Sequence, residues 1–172
     1  MQRLIILRGA PSSGKSAIAK SLRSLKQKIA WLKVDNFKPF FAKDASEEDQ
    51  AIDYVNQAAV DTLQHLLSQG FSVIMEGIFQ DPKYITLARD MAKQSNVQSK
   101  VYELECSLEV LQARDKVRPG VKEGCRKPLG DEVIVKLNQV IKDNPWNGAD
   151  KLNTERLSLE ECVEKLKGEL ES

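Results

Sequence analysis

The sequence predicts an α/β domain in which a parallel sheet of five strands is covered by helices on both faces. Three observations support that fold class. Short apolar runs alternate with amphipathic segments along nearly the whole chain, the pattern of parallel strands joined by crossover helices. A glycine-bearing loop of fixed spacing separates the first apolar run from the first amphipathic segment. The 172 residues are 41% hydrophobic and 30% charged, which excludes a disordered, collagen-like or membrane-bundle chain. A chain of this length buries roughly 70% of its unfolded surface, so it needs neither disulfides nor a structural metal. We expect residues 1–172 to form a single domain.

The elements follow in order. Leu4 to Leu7 is the first strand, and Ile18, Ala19, Leu22 and Leu25 recur after it at helical spacing. Ile29 to Val34 is a second strand, ending at Asp35. Phe37, Pro39, Phe40 and Phe41 predict an irregular segment with exposed or half-buried rings. Ser46 offers an N-cap to a long helix through Ile52, Val55, Ala59, Leu63, Leu66 and Leu67, stopped near Gly70. Phe71 to Met75 is the third strand, ending at Glu76. Asp81-Pro82 is a cap followed by proline at the first helical position, opening a helix through Ile85, Ala88 and Met91. Val101 to Cys106 is the fourth strand, and Ser107 caps a helix with Leu108, Leu111 and Arg114. The Gly-, Pro- and Lys/Arg-containing stretch from Arg118 to Gly130 has no periodicity and is expected to be a lid, spanning about residues 114–130 with its approach. Val133, Leu137, Val140 and Ile141 give a further helix. A turn-rich link, Asp143 to Gly148, leads to a short strand around Leu152. Ser158 and Glu161 form a capping box for the terminal helix through Cys162, Val163 and Leu166.

Lys plus Arg number 26 against 25 Asp plus Glu, a formal charge of +1. No global basic field therefore draws the chain to nucleic acid or membrane, and any polyanion site has to be local. No extended nucleic-acid surface is expected. Cys106, Cys125 and Cys162 show no C-x-x-C spacing, so neither a zinc knuckle nor a disulfide framework is indicated and a reducing, cytoplasmic setting is expected. The apolar run near the amino terminus is too short for a signal peptide or a membrane span.

The residues with chemistry cluster at strand ends. Gly9, Ala10, Pro11, Ser12, Ser13, Gly14, Lys15 and Ser16 match G-x-x-x-x-G-K-[ST] between a predicted strand and a predicted helix. Such a loop cradles phosphates with backbone N–H groups and the positive helix end. Lys15 then reaches the β and γ phosphates, and Ser16 ligates magnesium. Nucleotide binding by this loop, with Ala17 on the first helical turn, is the main functional expectation. Asp35 closes the second strand, on the sheet edge where α/β folds place ligands. It either faces a substrate hydroxyl or caps the following turn. Glu76 closes the third strand and reads as a Walker-B-type acid or as an exposed strand-end acid. Arg114 and Arg118, spaced i, i+4, and Arg126 with Lys127 are positioned to close over phosphates or to be a solvated basic helix end. His65 lacks metal-ligand spacing, and Trp31 and Trp146 read as core and loop-anchoring residues.

The Walker loop, Asp35-Asn36-Phe37-Lys38, Glu76-Gly77 and the Arg-bearing helix before a lid together resemble small P-loop kinases. The chain is similar to chloramphenicol phosphotransferases through residues 4–16 and through Asn153 to Cys162. The Asp35 and Glu76 segments resemble zeta toxins, although Ile78 stands where those toxins carry Thr, and 5′-polynucleotide kinases are a third related group. The resemblance implies a sheet order of 2-3-1-4-5 and transfer of the γ-phosphoryl group of magnesium-ATP to a hydroxyl. It implies Asp35 as general base, Arg114, Arg118 and Arg126 as lid arginines on the transferred group, and Thr154 among the nucleotide contacts. Phe37, Lys38 and Glu76 are the expected acceptor contacts. The acceptor is a small molecule in the first group, a sugar nucleotide or a 5′-OH end in the others. A nucleotide-dependent switch remains a competing class, although Asn153-Thr154-Glu155-Arg156 fails as the guanine-reading N-K-x-D. A toxin would bring an antitoxin partner, which we do not favour.

Overall fold

The first strand, covered on both faces, sets the architecture. β1 (Arg3–Gly9) is buried along its whole length. Its Ile5 and Leu7 face one layer of helices and its Leu4 and Ile6 the other, as successive strand side chains must. The computed structural model describes residues 1–25, 28–41, 49–120 and 127–171. In it β2 (Ile29–Lys33), β3 (Ser72–Gly77), β4 (Gln98–Glu105) and β5 (Asp150–Asn153) flank β1 in the order β2-β3-β1-β4-β5, every pairing parallel. This is the expected sheet, in the expected order.

α1 (Lys15–Arg23) and α6 (Leu159–Glu171) cover the Ile5 face through Ile18, Leu22 and Leu166. α2 (Asp49–Ser68) and α3 (Lys83–Gln94) cover the Leu4 face through Val55, Ala59, Leu63, Ile85 and Ala88. Each fully buried Leu, Ile or Val contributes about 1.5–3 kcal/mol relative to exposure. α4 (Leu108–Lys116) and α5 (Asp131–Asp143) pack on each other, and Leu111, Ile134 and Ile141 enclose Ala10 just beyond β1.

Local chemistry places the helix ends. Asp81 Oδ1 accepts from the Lys83 amide at 2.8 Å, Ser107 Oγ accepts from the Val110 amide, and Ser158 and Glu161 exchange side-chain to backbone bonds in the expected box. Other expectations change. The aromatic stretch after β2 is a 3₁₀ helix over Val34–Phe40 rather than irregular chain. β1 and β4 run past their apolar stretches, down to Arg3 and Gln98, which are in-register partners joined through their side chains. Ser46, expected to cap α2, lies outside the described residues, as do Cys125 and Arg126 within the expected lid.

Arg8 is the largest departure from the apolar-run reading, since it is a strand residue with 0% exposure. Register makes Glu103 on β4 its direct neighbour. Arg8 Nη1 lies 2.5 Å from Glu103 Oε2, while the rest of the guanidinium donates to the carbonyls of Phe79 and Asn144. Asn144 terminates α5, so the network ties that helix to the sheet. Removing one partner of a buried pair strands the other charge. Glu103→Ala should therefore lower unfolding free energy by about 3–5 kcal/mol in urea denaturation, and the double replacement Arg8→Met/Glu103→Leu should cost markedly less.

Candidate active site

The loop after β1 is shaped by close approach and by left-handed backbone. A Cβ on Gly9 would meet Ser13 Oγ at 2.8 Å and the Leu104 carbonyl at 3.0 Å. Gly14, at φ 97°, is the N-cap of α1, a conformation that costs other residues steric strain. Ser12 accepts the same region at φ 67°. The resulting turn aims carbonyls inward, and Lys15 Nζ donates to those of Gly9 and Ala10, both at 2.8 Å. Burial pulls the Lys15 pKa from 10.5 down to about 8, although Glu76 and Asp35 both act to raise it. Pro11 and Ser13 are buried, whereas Ala17 is exposed on the first turn of α1.

Ser16 meets Glu76. Its hydroxyl lies 2.7 and 3.0 Å from the two carboxylate oxygens, and Glu76 is only 2% exposed. Glu76 is thus a buried acid against the loop, not an exposed strand end. Trp31 Nε1 donates to it at 3.3 Å, and Lys33 Nζ lies 3.7 Å from its Oε1. The Ser16 hydroxyl and the Glu76 carboxylate are hard oxygen donors. They fit a magnesium ion that takes one or two protein oxygens and completes its shell with phosphate and water. Among the described residues no group of three or more His, Cys, Asp or Glu forms a metal cage.

Asp35 stands on the first turn of the 3₁₀ helix and is close enough to Lys15 to raise its pKa. It pairs with Lys38 at 2.6 Å, one turn on. Phe37 is half-buried against the core with its ring 6.1 Å from that of Phe40, which is 81% exposed. Phe41 stacks on Tyr54 from α2.

The two arginines expected on one helical face diverge, because α4 ends before Arg118. Arg114 donates to the hydroxyl of Thr154 at 3.2 Å and to its carbonyl at 2.6 Å. The buried Thr154 in turn donates to the Ser13 carbonyl at 3.0 Å. The turn after β5 is thereby fastened to the phosphate loop. Arg118 instead donates to Ser12 Oγ at 2.7 Å and pairs through Nε with Asp115. Asp115, which the sequence reading did not single out, is 1% exposed and accepts from the amides of Leu129 and Gly130. It holds both ends of the expected lid next to Ser12. Lys33, Trp31 and Asp115 are the site residues that sequence reasoning missed as chemistry. Only the in-register position of Lys33 opposite Glu76 signals its place, and that register is a property of the sheet.

A parallel sheet of order 2-3-1-4-5 with a Walker loop between β1 and α1 defines a P-loop protein with the fold of small kinases. The AAA domain family matches residues 4–142, and the chain belongs to that family. No curated protein matches the sequence. Among solved structures, a gluconokinase from Sinorhizobium meliloti 1021 is 16% identical, with 98% of this chain and 91% of that chain covered and a TM-score of 0.69. The Mycobacterium tuberculosis APS kinase in complex with AMPPNP and APS is 18% identical, covering 99% and 98%, with a TM-score of 0.69. A Deinococcus radiodurans tunicamycin resistance protein is 13% identical, covering 98% and 95%, with a TM-score of 0.65. Among the described residues no helix is long and apolar enough to cross a membrane.

Asp115 gives this arrangement a direct test. Asp115→Ala removes the acceptor shared by the Leu129 and Gly130 amides and by Arg118 Nε, each net hydrogen bond being about 0.5–1.5 kcal/mol. Limited trypsin digestion should then cut faster between α4 and α5 than in the unaltered protein, with a lower melting temperature.

Proposed function

We propose that the chain is an ATP-dependent kinase that transfers the γ-phosphoryl group to a hydroxyl of a small molecule, in the manner of the chloramphenicol phosphotransferases. The observation that supports this most is the placing of Asp35 and Glu76 on opposite sides of one requirement. Glu76 lies on the magnesium-ligating hydroxyl of the phosphate loop, and Asp35 stands at the neighbouring strand end with an exposed aromatic beside it. A nucleotide switch has no use for the second carboxylate.

In the reaction the loop and Lys15 bind the β and γ phosphates, and Ser16 with Glu76 would hold magnesium. When bound, the ion would supply neutralisation of the phosphate charge. Asp35 accepts the acceptor's hydroxyl proton as the new O–P bond forms and the bond to the bridging oxygen of ADP breaks. Lys38, ion-paired with the Asp35 carboxylate one turn on, holds it in place. Arg118 leaves Ser12 for the transferring oxygens, the point where charge neutralisation lowers the barrier most. Arg114 acts from a distance, holding Thr154 and through it the loop. The Phe37 and Phe40 rings form the apolar wall that favours an acceptor with a ring or apolar body beside its hydroxyl. The AMPPNP held by the APS kinase relative supports the nucleotide half of this reading.

The test is calorimetry of ATP analogues followed by transfer assays with a panel of hydroxyl compounds. Lys15→Ala should abolish or greatly weaken analogue binding. Asp35→Asn should bind the analogue normally while transfer falls by roughly a hundredfold to ten-thousandfold. An Asp35 that only caps a turn would tolerate Asn, and full activity of that variant would remove the general base from the mechanism. Arg118→Ala should reduce turnover on the order of a thousandfold with little change in affinity.

A further inference from the structure

Ser16, the hydroxyl that the motif assigns to magnesium, is engaged on both sides by protein groups. Its O–H donates to Glu76, and its oxygen accepts from Lys33 Nζ at 3.1 Å. The same ammonium stands 3.7 Å from Glu76 Oε1. The sheet puts it there. Lys33 is the in-register partner of Glu76 across the parallel pairing of β2 and β3, so both side chains leave the same face, the one covered by α1. Trp31, two residues back on that face, steadies the stem. The Lys33 Nζ lies 5.8 Å from the centre of its ring, and the indole N–H donates to Glu76.

We infer that Lys33 is a tethered competitor of the divalent cation. Its ammonium satisfies Glu76 and Ser16 and has to leave both before the ion that accompanies the nucleotide is bound. The inference rests on the nucleotide-binding reading above. An ammonium has three donors and no lone pair, so it can occupy these oxygens but cannot join a metal's shell. A hydroxyl has two lone pairs, yet filling both with cations places like charges at contact distance, where repulsion is strong even with screening. Two opposite effects follow. With magnesium, Lys33 opposes binding of the ion. Without magnesium, it supplies positive charge beside the phosphate loop and supports the bare nucleotide.

The experiment compares ADP binding with excess magnesium and with chelator, together with magnesium titration of the ADP complex. Trp31 fluorescence, in a Trp146→Phe background, reports the titration because its N–H is bonded to Glu76. Lys33→Met keeps the stem on the indole without the charge, Lys33→Gln is a second neutral variant, and Lys33→Arg keeps the charge. The neutral variants should bind magnesium roughly fivefold to tenfold more tightly and metal-free ADP correspondingly more weakly, while Lys33→Arg stays near the unaltered protein. A lysine that only shapes the site would shift both affinities in one direction or neither. Magnesium affinity that is unchanged or weaker in the neutral variants overturns the inference and leaves nucleotide binding standing. Failure of the unaltered protein to bind ADP overturns both.

Discussion

The phosphate loop is built around one desolvated ammonium. Lys15 is withdrawn from water so completely that its pKa falls to about 8, against the pull of two neighbouring carboxylates. An ammonium held that way needs acceptors, and the carbonyls of Gly9 and Ala10 provide them. Turning those carbonyls inward demands the left-handed backbone at Ser12 and Gly14 and leaves no room for a side chain at Gly9. Ser12 is the informative member of this set, because a non-glycine residue keeps such a conformation only where its surroundings over-determine it. Arg118 and Asp115 both bond its hydroxyl.

The loop is held from outside by polar groups that reach it from the other half of the sheet. Thr154 hooks the Ser13 carbonyl, and two bonds from Arg114 hold Thr154 to α4, so the turn after β5 is tied to the loop on one side and to α4 on the other. Arg8 and Glu103 perform the matching task one layer below by fixing the end of α5. α5 in turn packs with α4 over Ala10. Buried polar groups are costly when unpaired, and each of these links is therefore stiff. Their shared effect is to make the geometry at the end of β1 a property of most of the fold rather than of eight residues.

This division explains what could be read from the sequence. The phosphate loop was legible because its residues are adjacent and each does a separate job, so spacing alone encodes the site. The strand centres and the caps at Asp81, Ser107 and Ser158 were legible for the same reason, since periodicity and capping are local. Arg8 was hidden because its partner lies across the sheet, and an arginine at the end of an apolar run otherwise marks the strand's exit into water. Asp115 carries no sequence signal because its partners Leu129 and Gly130 reach it only in the fold. Glu76 was ambiguous because exposure at a strand end depends on what α1 places against it. The 3₁₀ helix after β2 is hard to read because its run is short and contains Pro39, although Val34, Phe37 and Phe40 recur at its three-residue period.

Charge balance at the site decides what kind of ligand it can distinguish. Lys15, Lys33 and Arg118 face Asp35, Glu76 and Asp115, and the Lys15 pKa registers both sets, with Arg118 and Lys33 lowering it and Glu76 and Asp35 raising it. Each of these three cations is already bonded to the protein, so among the described residues of the site they are not offered bare to passing anions. Any anion must replace existing partners, and that exchange subtracts from its affinity. A single phosphate replaces the partners of one cation and gains little. On the proposed reading, a polyphosphate arriving with a divalent ion would replace several at once and return to Glu76 and Ser16 the positive charge that Lys33 withdraws. On the function proposed above, selectivity for a metal-bound polyphosphate would come from what the protein must give up as much as from what the ligand brings.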